Sequence, residues 1–106
     1  MIKQIKYFQA VVRYQSFSKA AQECFISQSA ISQQIQALEK ELGVKLLHRE
    51  HRKFSLTPAG KIFYSKSLVI VSDFDRLCAE VLKTANGSAQ ELSIGYLRHY
   101  RGDELP

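Results

Sequence analysis

The longest uninterrupted helical pattern in the chain, near its C-terminal end, limits what the chain can fold into. No glycine or proline occurs between Gly60 and Gly87, and apolar residues recur there mostly at three- and four-residue steps. Thr57 followed by Pro58 is typical of a helix start. A threonine side chain can cap a helix, and proline is tolerated in the first turn because the N–H that it lacks would have no helical partner there. The pattern predicts one helix over residues 58–86, about 40 Å long.

A helix of this length cannot bury its whole apolar stripe against a small domain. Its distal half therefore needs a partner, and a second copy of the chain is the simplest one. The residues assigned to this dimerisation surface are the large apolar residues of the stripe: Ile62, Phe63, Val69, Ile70, Phe74, Leu77, Val81 and Leu82. The sequence thus predicts a homodimer.

Three shorter helices are predicted ahead of the long one. Apolar spacing predicts the first from Ile2 to about Tyr14. Ser18 is predicted to cap a second helix that runs through Cys24. Ser27 is predicted to cap a third helix, which ends at Gly43 in a left-handed conformation. The inward face of the third helix is expected to consist of Ala30, Ile31, Ile35, Leu38 and Leu42, and its outward face of Gln28, Ser29, Ser32, Gln33 and Gln36.

A small hairpin with a basic tip is predicted between Leu46 and Leu56, where the helical periodicity stops and apolar residues alternate with Ser55. The whole chain carries fifteen Lys and Arg against ten Asp and Glu, a formal net charge of +5. The excess is concentrated in residues 43–66, where the only acidic residue is Glu50 and the basic ones are Lys45, Arg49, Arg52, Lys53, Lys61 and Lys66. A basic patch suits a polyanion, but charge alone does not distinguish this from a solvated surface.

Several other classes of protein fit the sequence poorly. Cys24 and Cys78 have no metal-ligand partners at short spacing, so both are predicted to be reduced, buried thiols. There is no apolar run of signal-peptide or membrane-span length, which favours a soluble protein of the cytoplasm. No Cys/His cluster, glycine-rich phosphate loop or nucleophile elbow indicates an enzyme. His48 and His51 could begin a metal site but have no third ligand nearby, so no metal site is assigned.

Three stretches resemble the N-terminal region of bacterial LysR-type transcription regulators. The first runs from Ser16 to Ala21. The second is Ser27 to Ile35, followed by Leu38-Glu39 and Leu42-Gly43. The third is Leu46-Leu47-His48-Arg49 with Arg52, and then Leu56-Thr57-Pro58-Ala59-Gly60. Together these stretches span about residues 5–63.

The resemblance implies a mainly α fold in three parts. Residues 1–57 would form a winged helix-turn-helix of three helices and a two-stranded wing, and residues 58–86 a linker helix for dimerisation. Residues 87–106 would form a hinge and the truncated start of an effector-binding domain, where Leu92, Ile94 and Tyr96 alternate as in a strand. No cofactor is expected in these parts; a small-molecule inducer would bind the C-terminal effector domain.

The sequence departs from the family pattern at three positions. Leu47 stands where the family usually has phenylalanine, and Cys24 replaces a core leucine; both changes keep an apolar side chain. Phe25 occupies a turn position that more often holds Asn, His or Gly. An aromatic residue is disfavoured at positive φ, so local strain is expected at Phe25.

The resemblance also implies sequence-specific binding of double-stranded DNA, with the third helix in the major groove and the wing at the minor groove. Gln28 and Ser32 are assigned to base edges and Gln33 to a base or a phosphate, because amide and hydroxyl groups can bond base edges. Arg52 at the wing tip is assigned to the minor groove. The remaining DNA-binding candidates are Ser16, Ser18, Lys19, Ser29, Arg49 and Lys53.

Two alternatives stay open from the sequence. Arg49 could form a structural ion pair instead of contacting DNA. The winged fold could also serve as a scaffold for protein interaction through the long helix, which predicts little affinity for DNA and weak salt dependence.

Overall fold

The computed structural model describes residues 1–51 and 53–86, which contain four helices and one two-stranded antiparallel sheet. In chain order the elements are α1 (Ile2–Tyr14), α2 (Phe17–Glu23), α3 (Gln28–Leu42), β1 (Leu47–Glu50), β2 (Lys53–Leu56) and α4 (Pro58–Asn86). The predicted mainly α fold with a two-stranded wing and a long last helix is confirmed. Arg52 and the strand expected around Leu92 lie outside the described residues.

Residues 1–69 form one compact unit, in which α1, α2, α3 and the start of α4 enclose a single apolar core. Ala20 and Ala21 are buried in α2, and their small side chains allow the neighbouring helices to approach closely. Phe8 lies at the centre and makes an edge contact with the Phe63 ring, 5.7 Å between centroids. Phe63, one of the residues assigned to dimerisation, therefore also packs inside the monomer.

A buried polar contact joins α1 to α4. The Nε2 atom of Gln9 donates a hydrogen bond to the Ser67 hydroxyl at 2.9 Å, and that hydroxyl donates to the carbonyl of Tyr64 at 3.1 Å. Gln9 and Ser67 are both almost fully buried. Since a buried amide without a partner costs about 1–3 kcal/mol, this pair favours one particular fit of α4 against α1.

The start of α2 differs from the prediction. Ser16, not Ser18, caps this helix: its Oγ atom accepts a hydrogen bond from the Lys19 N–H at 3.0 Å. The prediction that Ser18 is the cap is therefore wrong. The earlier start puts the Phe17 ring in edge contact with Phe54 of β2, at 5.4 Å between centroids, a tertiary contact that capping preference does not include.

α2 ends at Glu23, one residue earlier than predicted, with Cys24 as its C-terminal cap. The predicted ends of α3 are confirmed. The Ser27 hydroxyl accepts from the Ala30 N–H at 3.1 Å and caps α3, which ends at Gly43 with φ of +80°. Leu42, expected to face inward, is instead 37% exposed, because it lies in the last turn of α3, beyond the buried part of that helix. Ala30 on the same face is only partly buried.

Phe25 adopts the left-handed conformation, with φ of +59°, as expected for its turn position. Its N–H donates to the Gln22 carbonyl, and the N–H of Ile26 donates to the Ala21 carbonyl; this is the hydrogen-bond pattern of a Schellman C-terminal cap. Glycine is the usual residue at this position because a Cβ atom is strained there. The Phe25 side chain is also 84% exposed, so the strain is not offset by burial.

Both cysteines are free thiols, as predicted, but they are only partly buried. Burial nevertheless raises the pKa of the Cys24 thiol, an effect that Arg13 opposes and Glu23 reinforces. Desolvation is the largest of these influences because it disfavours the charged thiolate.

Candidate nucleic-acid interface

The wing is a short antiparallel hairpin whose base is buried and whose tip is exposed. Leu47 pairs with Leu56 at the base, and Glu50 pairs with Lys53 beside the turn. His51 in the turn has φ of +55°. Leu47 is buried, whereas the next three residues of β1 are exposed. The hairpin therefore presents a polar and basic end to its surroundings.

A buried carboxylate fixes the base of the wing to α3. The Oε2 atom of Glu39 accepts hydrogen bonds from the N–H groups of Leu46 at 2.7 Å and Leu47 at 3.0 Å. Glu39 is only 6% exposed, and its contact with the exposed Lys45 ammonium is long at 3.9 Å. No role was predicted for Glu39 beyond its place in a family motif. A charged residue directly after a core leucine is the only local signal, and it is weak.

A second junction joins the base of the wing to the start of α4. The Thr57 hydroxyl donates to the Lys45 carbonyl at 2.7 Å and accepts from the Gly60 N–H at 3.0 Å. The Thr57 N–H donates to the Leu46 carbonyl at 3.0 Å. Thr57 thus caps α4, as predicted, and also closes the hairpin. A Cβ atom at Gly60 would overlap the Leu46 carbonyl oxygen, so only glycine allows this close approach.

Arg49 links the wing to both helices of the helix-turn-helix. Its guanidinium lies 4.5 Å from the centroid of the Phe17 ring, and its Nη1 atom donates to the Ser32 hydroxyl at 3.4 Å. Phe17 in turn contacts Phe54 of the wing. Among the described residues, the Arg49 guanidinium thus contacts an aromatic ring and a hydroxyl group. These contacts differ from the structural ion pair that was the alternative prediction for Arg49.

Some of the predicted DNA-binding residues line one concave surface. A shallow cleft of about 420 Å³ is lined by Gln15, Ser16, Phe17, Ser18, Gln28, Lys53 and Phe54. It brings together the start of α2, the first residue of α3 and the second strand of the wing. Four of the predicted contacts, Ser16, Ser18, Gln28 and Lys53, therefore lie side by side although they are far apart in sequence.

The other DNA-binding candidates differ in exposure. Ser29 and Gln33 are exposed on α3, and the Ser29 hydroxyl lies 3.3 Å from that of Ser27. Ser32 is partly buried under Arg49. Lys19 is exposed and forms a loose ion pair with Glu23 at 3.9 Å. The position of Arg52 at the wing tip is not described, so its minor-groove assignment stays a prediction.

The candidate dimerisation residues of α4 fall into two groups. Ile62, Val69, Ile70, Leu77 and Val81 are each more than half exposed. Phe63, Phe74 and Leu82 are partly buried. Large apolar residues this exposed along one helix are unusual for a surface that faces only water.

The part of the chain that the structure describes contains no group of three His, Cys, Asp or Glu residues placed to hold a metal ion. His48 and Glu50 form a pair on the wing, 3.4 Å apart, with no third such residue. No helix within residues 1–51 and 53–86 is both long and apolar enough to cross a membrane.

The α2–α3 pair followed by the β1–β2 hairpin is a winged helix-turn-helix. A family model described as bacterial regulatory helix-turn-helix protein, lysR family, matches residues 2–61. The chain belongs to the lysR family, as the sequence motifs predicted.

Relatives and solved structures agree with this assignment. The chain is 43% identical over 94 residues to the uncharacterized regulator YcgK of Bacillus subtilis, covering 89% of this chain and 29% of YcgK. It is 40% identical over 96 residues to the transcriptional regulator BenM of Acinetobacter baylyi, covering 91% of this chain and 31% of BenM. The chain thus spans about a third of the length of these curated relatives.

A crystal structure of the BenM DBD with catB site 1 DNA is similar in fold, with a TM-score of 0.75 and 40% identity. The match covers 82% of this chain and 97% of that one. The likeness thus extends over most of this chain and almost all of the BenM structure.

Proposed function

We propose that this chain is the DNA-binding part of a LysR-type transcriptional regulator and binds double-stranded DNA sequence-specifically as a homodimer. The observation that carries the proposal is the concave surface on which the start of α2, the start of α3 and the wing meet. The 40% identical BenM domain, whose structure contains DNA, supports the same conclusion. The proposal assigns the chain no catalytic role.

In this proposal the exposed N-terminal part of α3 enters the major groove. Gln28 reads a base edge, for which adenine offers a bidentate partner, and Ser32 reads a second base. Gln33 contacts a base or a phosphate, and Ser29 contacts the DNA close to the helix end. Backbone N–H groups at the start of α3 favour phosphate oxygens in the same region.

The wing and α2 supply the contacts that position the protein on the duplex. Arg52 enters the minor groove, where narrow A·T tracts concentrate negative potential. Lys53 and Arg49 lie on the wing, and Ser16, Ser18 and Lys19 at the start of α2; these residues contact phosphates. The net charge of +5 favours this association with a polyanion.

Regulation by a small molecule belongs to the proposal as well. The curated relatives are about three times as long as this chain. A small-molecule inducer would bind a C-terminal domain and not the residues described above. As a regulator that acts on bacterial DNA, the protein would work in the cytoplasm.

The direct test is DNA binding by the 106-residue chain, with an operator obtained by selection from randomised duplexes. We expect affinity to fall steeply between 50 and 200 mM salt, by roughly tenfold or more, because counterions are released. Gln28→Ala should relax base preference at one position, at a cost of about 1–3 kcal/mol. Arg52→Ala should weaken binding. Gln22→Ala, at an exposed glutamine of α2 outside the cleft, is the control and should leave affinity unchanged.

The scaffold alternative predicts a different result. If the wild-type chain binds all duplexes weakly and with little dependence on salt, the protein is not a sequence-specific DNA binder. If the wild-type chain selects an operator but both substitutions keep full affinity and specificity, the residue assignments are wrong.

Dimerisation is tested separately by sedimentation. We expect a dimer at micromolar concentration, and Leu77→Glu should raise its dissociation constant by at least about tenfold, because a charge would enter an apolar contact. Ala79→Glu adds the same charge on the opposite side of α4 and should remain dimeric. A wild-type chain that sediments as a monomer at micromolar concentration would contradict the proposal.

A further inference from the structure

We propose that Arg49 determines which hydrogen-bonding polarity Ser32 presents to a base, and thereby makes this serine reject cytosine. The inference rests on the proposed function and deepens it. It concerns one residue on the wing and one on the recognition helix α3, joined by the hydrogen bond from Arg49 Nη1 to Ser32 Oγ.

The hydroxyl proton of Ser32 is used differently from those of Ser65 and Ser67 in α4, whereas Ser72 of that helix, like Ser32, accepts from an arginine, at 3.5 Å. Ser65 donates its proton to the Lys61 carbonyl, four residues earlier, and Ser67 donates to the Tyr64 carbonyl. A serine inside a helix commonly uses its proton in this way. Ser32 instead accepts from Arg49, and within residues 1–51 and 53–86 its own proton has no acceptor. That proton remains available for a ligand.

The position of the Arg49 guanidinium is set by more than this hydrogen bond. It stacks on the Phe17 ring at 4.5 Å, and Phe17 is itself packed against Phe54 of β2. The cation therefore lies beside the Ser32 oxygen before any DNA arrives. Preorganised donors of this kind need no rearrangement when the ligand binds.

A serine hydroxyl carries one donor and two acceptor sites, so an isolated serine reads bases with little selectivity. Arg49 occupies one acceptor site of Ser32, and its positive charge disfavours the approach of a second donor. The hydroxyl then acts mainly as a donor. In the major groove guanine, adenine and thymine each offer an acceptor, whereas cytosine offers only its N4 amino donor. Ser32 thus accepts three bases and rejects cytosine.

The test is a set of duplexes in which each operator base pair is replaced in turn by the other three. For the wild-type chain, one position contacted by α3 should disfavour cytosine by about tenfold relative to the other bases. Ser32→Ala should abolish the rejection at that position and nowhere else. Arg49→Met, which keeps an unbranched apolar stem but removes the guanidinium donors, should abolish it at the same position, and the double variant should show no further change.

Two further variants keep the test decisive. Arg49→Gln lacks the charge and should also lose the rejection, so the result does not depend on one substitution folding correctly. Arg49→Lys keeps a charged donor but lacks the planar guanidinium that stacks on Phe17, and should retain part of the rejection.

The proposal is overturned if Arg49→Met and Arg49→Gln weaken binding to all duplexes evenly while the base preferences stay unchanged; Arg49 would then contact only phosphate. It is equally overturned if Ser32→Ala changes no base preference. Failure of the proposed function itself looks different, because the wild-type chain would then select no operator.

Discussion

Replacing Gly60 by alanine is expected to lower the free energy of unfolding by about 3 kcal/mol, although alanine is the better helix former. In an ordinary helix interior the substitution would gain about 1 kcal/mol. Here the added Cβ atom would overlap the Leu46 carbonyl oxygen and lie 3.0 Å from its carbon. That carbonyl also accepts from the Thr57 N–H, so it cannot move without loss of a hydrogen bond. Thermal unfolding should show a melting temperature lower by about 15 °C.

Gly43→Ala provides the matched control, since no atom lies within 4 Å of a Cβ atom at this position. Its only penalty is the left-handed conformation at φ of +80°, which costs about 1 kcal/mol. The Gly60 variant should therefore be clearly the less stable of the two. Both must be measured at one protein concentration, because association stabilises a folded chain. Equal stability of Gly60→Ala and the wild type would show that the wing base and α4 are not in close contact.

Glu39→Ala is expected to have a comparable effect, about 3 kcal/mol, because two buried hydrogen bonds are lost. The substitution leaves the N–H groups of Leu46 and Leu47 without an acceptor in a place that water does not reach, as both residues are at most 3% exposed. Glu39→Gln keeps an acceptor oxygen and should cost only about 1 kcal/mol, the difference between a charged and a neutral acceptor. Denaturant unfolding measures both losses, and hydrogen exchange at the two amides localises them.

Lys45→Ala separates these hydrogen bonds from the ion pair. Lys45 Nζ lies 3.9 Å from Glu39 Oε1, but its side chain is 79% exposed, so solvent screens the attraction. Removing it should change the unfolding free energy by less than about 0.5 kcal/mol. If Lys45→Ala proves as costly as Glu39→Ala, the carboxylate acts through its charge and not through the two backbone bonds.

The helices were predictable because their signals are local. The spacing of apolar residues and the Ser27, Gly43 and Thr57 caps require knowledge of only a few neighbouring residues, and the structure reproduces them. The Ser16 cap was missed because two serines compete within three positions. The helix that begins after Ser16 also places Phe17 against Phe54, a residue 37 positions later, and a local capping rule does not include such a contact.

The parts of the candidate interface that were not predictable depend on contacts between distant residues. Glu39 accepts hydrogen bonds from residues that lie 7 and 8 positions later in the chain. Arg49 donates to Ser32, which lies 17 positions earlier. Both residues are charged. In a sequence, a charged residue on a helix or strand looks the same whether its side chain is solvated or hydrogen-bonded to another part of the protein. Only the packing of α3 against the hairpin distinguishes these cases.

The Gln9–Ser67 contact has a consequence for the rotational phase of α4. A slip of one residue along that helix turns it by about 100° and would carry the serine hydroxyl away from the buried amide. The pair therefore selects one angular setting of the helix out of several that apolar packing alone would tolerate. In that setting Leu68 and Val69 are exposed. A single buried hydrogen bond thus helps to decide which apolar side chains of this part of α4 are available to a second protein molecule.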